Sequence, residues 1–489
     1  MAYAVVIPPG DDVSPDRMLD LVRQIRSEAG TTSLGWNHAA ALFDGLIADG
    51  IRTADTHQAA GMLAWQVGMA EKAVSHLSAC LALDPTRRVV RDTLIFAQDI
   101  SLHSTETERW AQRRLWWALY GWPAYCRRKP HRNTKKPDRL LRVGYVSADF
   151  RQHSAGLAVQ GLLTRGIPGT HTYCYANHTP DRNDAHTAVF QSLTTYRNVS
   201  ALSDGDLASQ VRADKIDILV DLSGYTAGNR LEMFCRKPAP IQVNAWGYAL
   251  GLGLDAIDAR FSEAVAHGSE QGVEQIVELP ALLPWTPPAG MLPVSVRSPY
   301  PVFGAFHRWE KVSPAVLATW AEILARVPDA AIRFKGTVYM DPHRQAHLRE
   351  LFPRVEFVGG TMHREHLAAI GEVDVMLEPF PQGGGVTTCE ALYMGVPSVT
   401  WQGTDSRARV ASSVLTQVGA TRGIATTRHG YIEAAVAMIQ DTAALAADRE
   451  TLRERLLASP ICTGYAEAVS AAFRQLWRAW CASPSQECA

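Results

Sequence analysis

The chain has 489 residues, 47% of them apolar and 20% charged, with a formal net charge of −1 and a pI near 7.0. That length exceeds one hydrophobic core and predicts two or three domains, and the neutral balance excludes a nucleic-acid surface built on bulk electrostatics. Eight cysteines without a CxxC pair argue against a zinc site or a disulfide framework and fit a reducing compartment. The opening "MAYAVVIPPGDD" lacks a basic segment followed by an apolar one. No run of 18 apolar residues occurs, so no membrane span is expected and the cytoplasm is the expected location.

Residues 1–125 read as a helical segment, with helix-like texture from about residue 13 and no strand-like alternation. "GMLAWQVGMAEKAVSHLSACLALDP" (61–85) has a helix-turn-helix pattern. Gly61, Ala73 and Cys80 are small residues where two helices would approach closely, and Pro85 ends the second. The spacing is that of one degenerate tetratricopeptide repeat, with a partial one around Ala39–Phe43. A helical hairpin without a binding role is the alternative. "CRRKPHRNTKKPD" (126–138) is basic, holds two prolines and few apolar residues, and reads as a linker. Without aromatics to stack bases, a nucleic-acid arm is the weaker reading.

From Leu141 the texture becomes that of alternating strands and helices. "LRVGYVSADF", "THTYCYAN" (170–177), "KIDILVDLSG" (215–224) and "IQVNAWGY" (241–248) are strand candidates of a first lobe, residues 139–290. A second lobe, residues 291–465, begins at "YPVFGAFHR" (300–308). It continues with a helix over 313–328, strands at 330–336 and 355–359, a helix over 363–372, and strands at 373–379 and 397–401. Such alternation predicts two parallel, doubly wound sheets with a cleft between them, an α/β architecture preceded by a short all-α segment. A final helix in 466–489 carries Phe473, Leu476, Trp477 and Trp480 at helical spacing and must bury that stripe.

Ligands of open parallel sheets bind beyond the carboxyl ends of strands. "EPFPQGGGVTTCEALYMGVP" (378–397) occupies such a place, with a strand before it and a helix after it. Glycines such as Gly384 and Gly385 let backbone amides approach a phosphate. The helix start at Val386, Thr387 and Thr388 adds unpaired donors and partial positive charge. Glu390, one turn further, could accept from the vicinal hydroxyls of a ribose. Thr387-x-x-Glu390 is equally a capping box, in which case both side chains serve only the helix. The loop lacks the G-K-[ST] of a P-loop and the GxGxxG of a dinucleotide site.

Lys311 lies just before a helix that Ser313 would cap and Pro314 would open, at a lobe edge where an ammonium could meet a departing diphosphate. A solvated surface lysine is the alternative. His153, in "SADFRQHSAG", and the strand-end loop with Gly224 and Tyr225 are further candidates, against plain structural roles. His366 either faces a base or is exposed. Arg407 and Arg409 either reach phosphate or form surface ion pairs.

Together, "RVGYVSADFRQHSAG", "DILVDLSGYTAGNR", "KPAPIQVNAWGY", "FGAFHRWEKVSPAVLATWAEILARVP" and "LEPFPQGGGVTTCEALYMGVPSVTW" resemble the protein O-GlcNAc transferase family, nearest its SPINDLY branch, over roughly residues 139–482. The resemblance implies a GT-B fold and metal-independent, inverting transfer of a sugar from a nucleotide sugar to Ser or Thr hydroxyls of a protein or peptide. UDP-GlcNAc is the donor it suggests, with no other cofactor and no metal. It matches Lys311 to an essential lysine and His153 to an active-site histidine. Gly385, Val386, Thr387 and Thr388 match the phosphate-binding loop and helix start, with Gly384 beside them as a further donor-binding candidate, Glu390 a ribose-binding acid and His366 a nucleotide contact. Two stretches depart from the family. "GYALGLG" (247–253) lacks the usual proline and hydroxyl residues near the expected sugar site, which Gly224, Tyr225 and Tyr248 would border, and Arg308 stands where an amide side chain is usual. Both leave the sugar open to a GDP-fucose, another hexose or a nonulosonic acid, with flagellin or a glycan as acceptor. A decayed, repeat-bearing interaction protein is the alternative of another class.

Overall fold

The computed structural model describes residues 43–48, 50–288, 290, 292–293 and 299–484. The expected helices before residue 43, with all but the last residue of the partial repeat, lie outside this range. Helices α1 (Ala54–Gln66) and α2 (Ala70–Leu83) form the predicted hairpin. Thr53 caps α1 by accepting the amide of Thr56. A Cβ on Gly61 would lie 2.7 Å from the Leu77 side chain, so glycine there permits the close crossing. Ala73 and Cys80 are fully buried in the same contact. Helices α3 (Arg88–Ile100) and α4 (Glu106–Trp116) follow.

The first lobe is a seven-stranded parallel sheet in the order β3-β2-β1-β4-β5-β6-β7. Its strands are β1 (Leu141–Ser147), β2 (Thr170–Ala176), β3 (Thr195–Asn198), β4 (Ile218–Asp221), β5 (Ile241–Asn244), β6 (Ala259–Ser262) and β7 (Gln275–Glu278). The second lobe has six parallel strands in the order β10-β9-β8-β11-β12-β13. These are β8 (Val302–Ala305), β9 (Ala331–Lys335), β10 (Val355–Val358), β11 (Val375–Leu377), β12 (Ser398–Trp401) and β13 (Ile424–Ala425). Both sheets therefore change winding direction beside their first strand, between β1 and β4 and between β8 and β11. Such switch points open a crevice at the carboxyl ends of the strands. Central strands β4, β5 and β8 are buried along their length, as sheets covered on both faces require.

The helical segment is bonded into both lobes. Buried Arg113 of α4 pairs with Asp99 of α3 at 2.7 Å and also donates to the Tyr248 hydroxyl at 2.8 Å and the Gly251 carbonyl at 3.0 Å. Tyr248 donates in turn to Asp99. From the second lobe, Arg407 donates to the carbonyls of Gln98, Asp99 and Ser101 at 2.8–3.1 Å, which satisfies the carboxyl end of α3. Asp405 joins Arg407 to Arg109 of α4. Arg407 is buried here, and Arg409 donates to the Val265 carbonyl at 2.7 Å, so neither the phosphate role nor the surface ion pair expected of them is found.

Helix α5 (Ser154–Arg165) follows β1, α6 (Pro314–Arg326) follows β8, α7 (His363–Gly371) follows β10 and α8 (Val386–Tyr393) follows β11. Helix α9 (Tyr465–Ala482) crosses back to the first lobe. It buries Phe473 and Trp477 fully, with Phe473 against Phe261 and the Trp477 indole donating to the Lys136 carbonyl at 3.0 Å.

Candidate active site

The loops after β8 and β11 flank the switch point of the second lobe. Ser313 caps α6 by accepting the amide of Val316, with Pro314 in the first turn, as its sequence predicts. The short turn before it (Trp309–Lys311) carries Lys311 towards the glycine-rich turn, where the ammonium donates to the Gly383 carbonyl at 2.9 Å. Lys311 is half-buried rather than solvated. Burial first, then the Arg308 guanidinium, pull its pKa down to about 7, and Glu378 and Glu310 oppose them. His307 joins the two loops through its Nε2, 2.8 Å from the Leu377 carbonyl. Trp309 anchors the turn to the helical segment, its indole donating to the Val67 carbonyl at 2.7 Å.

The glycine turn is shaped by a residue that sequence reasoning passed over. Glu378, fully buried just past β11, accepts the Gly384 amide at 2.6 Å and the Thr388 hydroxyl at 2.8 Å. This corrects the phosphate role expected of both groups: the Gly384 N–H and the buried Thr388 hydroxyl already serve Glu378. An acid directly after an apolar strand and before a glycine run is the signal that would have found it. The capping box is also absent. Helix α8 begins at Val386 with Gly385 as its cap and no side-chain cap bond. Among the described residues the amides of its first turn thus carry no side-chain partner, and Gly385, Val386 and Thr387 are half-exposed. A Cβ on Gly385 would meet Leu283 of the first lobe at 2.8 Å, which explains a bare residue there.

Glu390 is 4% exposed and does not reach back to Thr387. Its two carboxylate oxygens take one imidazole each, His363 Nε2 at 2.7 Å and His366 Nε2 at 3.3 Å. Those hydrogen bonds and charges outweigh burial and lower its pKa. His366 is therefore neither simply exposed nor free. His363 stands on the same helix face one turn earlier, and the i, i+3 spacing "HREH" is the signal that sequence reasoning missed.

In the first lobe His153 caps α5: its Nδ1 accepts the Ala155 amide at 3.3 Å and lies 3.5 Å from the Asp149 carboxylate. Accepting at Nδ1 leaves the proton of the neutral ring on Nε2. Burial lowers its pKa, with Arg308 among the charges acting the same way. Arg308 is exposed, lies over the Phe96 ring at 5.7 Å, and acts on His153 and Lys311 alike. Helix α5 packs directly on α8, so the two lobes meet along these helices.

Three first-lobe candidates are corrected. Tyr225 and Tyr248 are 2% and 8% exposed, and the Tyr225 hydroxyl donates to the Leu252 carbonyl at 2.8 Å. Gly224 has φ 54°, and a Cβ there would stand 2.3 Å from the Tyr248 ring. All three are packing residues beneath the helical segment. "GYALGLG" belongs to the same layer, with Leu250 and Leu252 buried beside Phe96, which accounts for its lost hydroxyls.

Two parallel lobes with a donor-lined turn at a switch point define the class: a two-lobed α/β fold of the GT-B kind. Residues 123–286 and 296–468 match Glycosyl transferase family 41, and the chain belongs to that family. Over 431 residues it is 32% identical to the probable UDP-N-acetylglucosamine–peptide N-acetylglucosaminyltransferase SPINDLY of Hordeum vulgare, covering 82% of this chain and 44% of that protein. The SPINDLY protein of Arabidopsis thaliana is 31% identical over 435 residues, 82% of this chain and 46% of its own length. The chain thus spans less than half the length of these curated relatives. A solved mutant of the Thermobaculum terrenum O-GlcNAc transferase superposes with a TM-score of 0.83 at 29% identity, over 96% of this chain and 95% of that one. Among the described residues no helix is long and apolar enough to cross a membrane, and no group of three or more His, Cys, Asp or Glu is placed to hold a metal ion.

Proposed function

We propose that this protein is an inverting glycosyltransferase that moves a sugar from a nucleotide donor, UDP-GlcNAc in the first instance, to Ser or Thr hydroxyls of a protein or peptide. The observation that carries the reading is Lys311, half-buried and held 2.9 Å from the glycine turn beside an uncapped helix start. The donor's diphosphate rests on the first-turn amides of α8 and the Thr387 hydroxyl. The acceptor hydroxyl attacks the anomeric carbon from the face opposite the diphosphate, the bond to the diphosphate oxygen breaks, and the hydroxyl proton passes to water or to an oxygen of the departing diphosphate. Negative charge then grows on the leaving group, where Lys311 and the helix start are already aimed. They take the part that a divalent cation plays in other sites, so EDTA leaves turnover unchanged on this reading. Entry of the diphosphate raises the Lys311 pKa and fixes its proton. His153 offers Nε2–H to an oxygen of the bound donor from the opposite lobe. Glu390 holds His363 and His366 against the nucleoside. It contacts the ribose only where the donor displaces one of these imidazoles. The names of the relatives above and the family membership support the donor and acceptor classes.

The test is hydrolysis and peptide transfer across UDP-, GDP- and CMP-sugars. Turnover with a UDP-sugar that Lys311→Met abolishes is the expected result. Turnover with a GDP- or CMP-sugar alone replaces UDP-GlcNAc by that donor. Nucleotide binding without turnover on any donor overturns the enzymatic reading in favour of an interaction protein.

A further inference from the structure

Lys335 is the last residue of β9, in register with Val358 of β10, at the carboxyl edge of the second-lobe sheet. It is 6% exposed. Among the described residues its ammonium has neither a hydrogen bond nor an ion pair within 4 Å. Arg333 shares its face of β9 by the two-residue period of a strand. Arg333 is matched, meeting Glu356 and Glu372 at 2.7 Å each, the latter just past the end of α7. Lys335 lies towards the other end of α7, where the nearest acids are engaged elsewhere. Glu390 already holds His363 and His366, and Glu365 accepts the Met362 amide at 2.9 Å. Burial pulls the lysine's pKa down, and Glu390 and Glu365 act on it only through space. A buried cation without a partner is costly, and the start of α7 adds to the positive potential.

We propose that Lys335 is a specificity-determining contact to the nucleoside half of the donor, its ammonium donating to a carbonyl oxygen of the base. This rests on the donor reading above. Strand order decides between nucleoside and phosphate. The phosphate turn follows β11, and β9 stands two strands away across β8, roughly 10 Å at ordinary strand spacing. That separation exceeds the reach of an ammonium to the same phosphates and suits the length of a nucleotide laid across the strand ends. His363 and His366, after β10, continue the same line. Lys335 joins them as the group that can only donate, so it favours a base presenting a carbonyl edge.

Calorimetric titration of the wild type and Lys335→Met with UDP, uridine and pyrophosphate tests this. The variant is expected to bind UDP and uridine about tenfold or more weakly, the loss typical of a hydrogen bond to a charged group, and to bind pyrophosphate as the wild type does. Its melting temperature is expected to hold or rise, because an unpaired buried charge is gone. Lys335→Gln, which keeps a donor, recovers part of the affinity and serves where the methionine variant does not fold. Equal UDP affinity in wild type and variants overturns the Lys335 assignment alone, as does a loss shared with pyrophosphate. A wild type that binds no nucleotide overturns the donor reading itself.

Discussion

At the end of β4, Asp221 accepts the amides of Ser223 at 3.2 Å and Gly224 at 2.8 Å; just past β11, Glu378 accepts the amide of Gly384 at 2.6 Å. The two lobes thus use one device, a buried strand-end carboxylate that clips a glycine-bearing turn beside the switch point. The outcomes differ because of what lies above each turn. In the first lobe the helical segment covers it: Tyr248 fills the space over Gly224, Trp116 meets the Tyr225 ring edge-on at 5.9 Å, and Arg113 lies 5.6 Å over the same ring. Burial pushes Asp221 up to about 6. In the second lobe the next residues stay half-exposed, and Lys311 stands at the rim. A carboxylate-clipped turn is therefore a scaffold, and only the uncovered one leaves room for the site proposed above.

Removing the cover should have the largest effect. Arg113→Ala leaves Asp99 buried without its cationic partner and should cost about 3–5 kcal/mol of stability, read by chemical denaturation. A loss below about 1 kcal/mol would mean that the first-lobe turn is not held by this contact. Next, Lys311→Ala should lower turnover by about 10²–10³-fold, as for one lost transition-state donor, with the fold intact. A rate within a factor of about two would remove Lys311 from the reaction.

The same lysine makes two pH claims. The proposed reaction needs its ammonium, so kcat/KM should fall as pH rises through about 7 in the free enzyme, while kcat holds to higher pH once the diphosphate is bound. For stability, the unfolded lysine titrates near its ordinary value of about 10.4, so between the two values the unfolded chain binds more protons and stability rises with pH. Lys311→Met should accordingly melt higher than the apo wild type at pH 7, with the advantage vanishing near pH 10. An advantage that grows with pH has the wrong sign and refutes the depressed pKa.

Glu390→Gln should weaken nucleotide affinity about tenfold by releasing the two histidines from a charged acceptor, with little change in melting temperature. A large melting shift with unchanged affinity would make Glu390 a fold residue like Asp221. The smallest effect is expected from Tyr225→Phe, about 1 kcal/mol of stability for one buried hydrogen bond and no change in turnover. Lost turnover there would return Tyr225 to the site.

Much of the second lobe was legible residue by residue. Ser313 and Pro314 announced α6, the glycines announced a turn, and Lys311 could be placed before a helix start, because each signal is local. Thr387 and Glu390 misled for the same reason: the capping-box pattern is local, while the acid's real partners, His363 and His366, come from the helix after another strand. Tyr225 and Tyr248 misled because their surroundings are supplied by Asp99 and Arg113, more than a hundred residues earlier in the chain.

Hydrophobic periodicity and turn residues, which act within a few positions, were enough to set two wound sheets, a helical lead and a glycine-rich turn before a helix. The pairing of charges was left to the tertiary fold, since a carboxylate takes whichever donor packing brings near it. Packing alone determined that the helical segment covers the first-lobe turn and leaves the second-lobe turn half-exposed, with a buried lysine at its far edge that has no partner among the described residues.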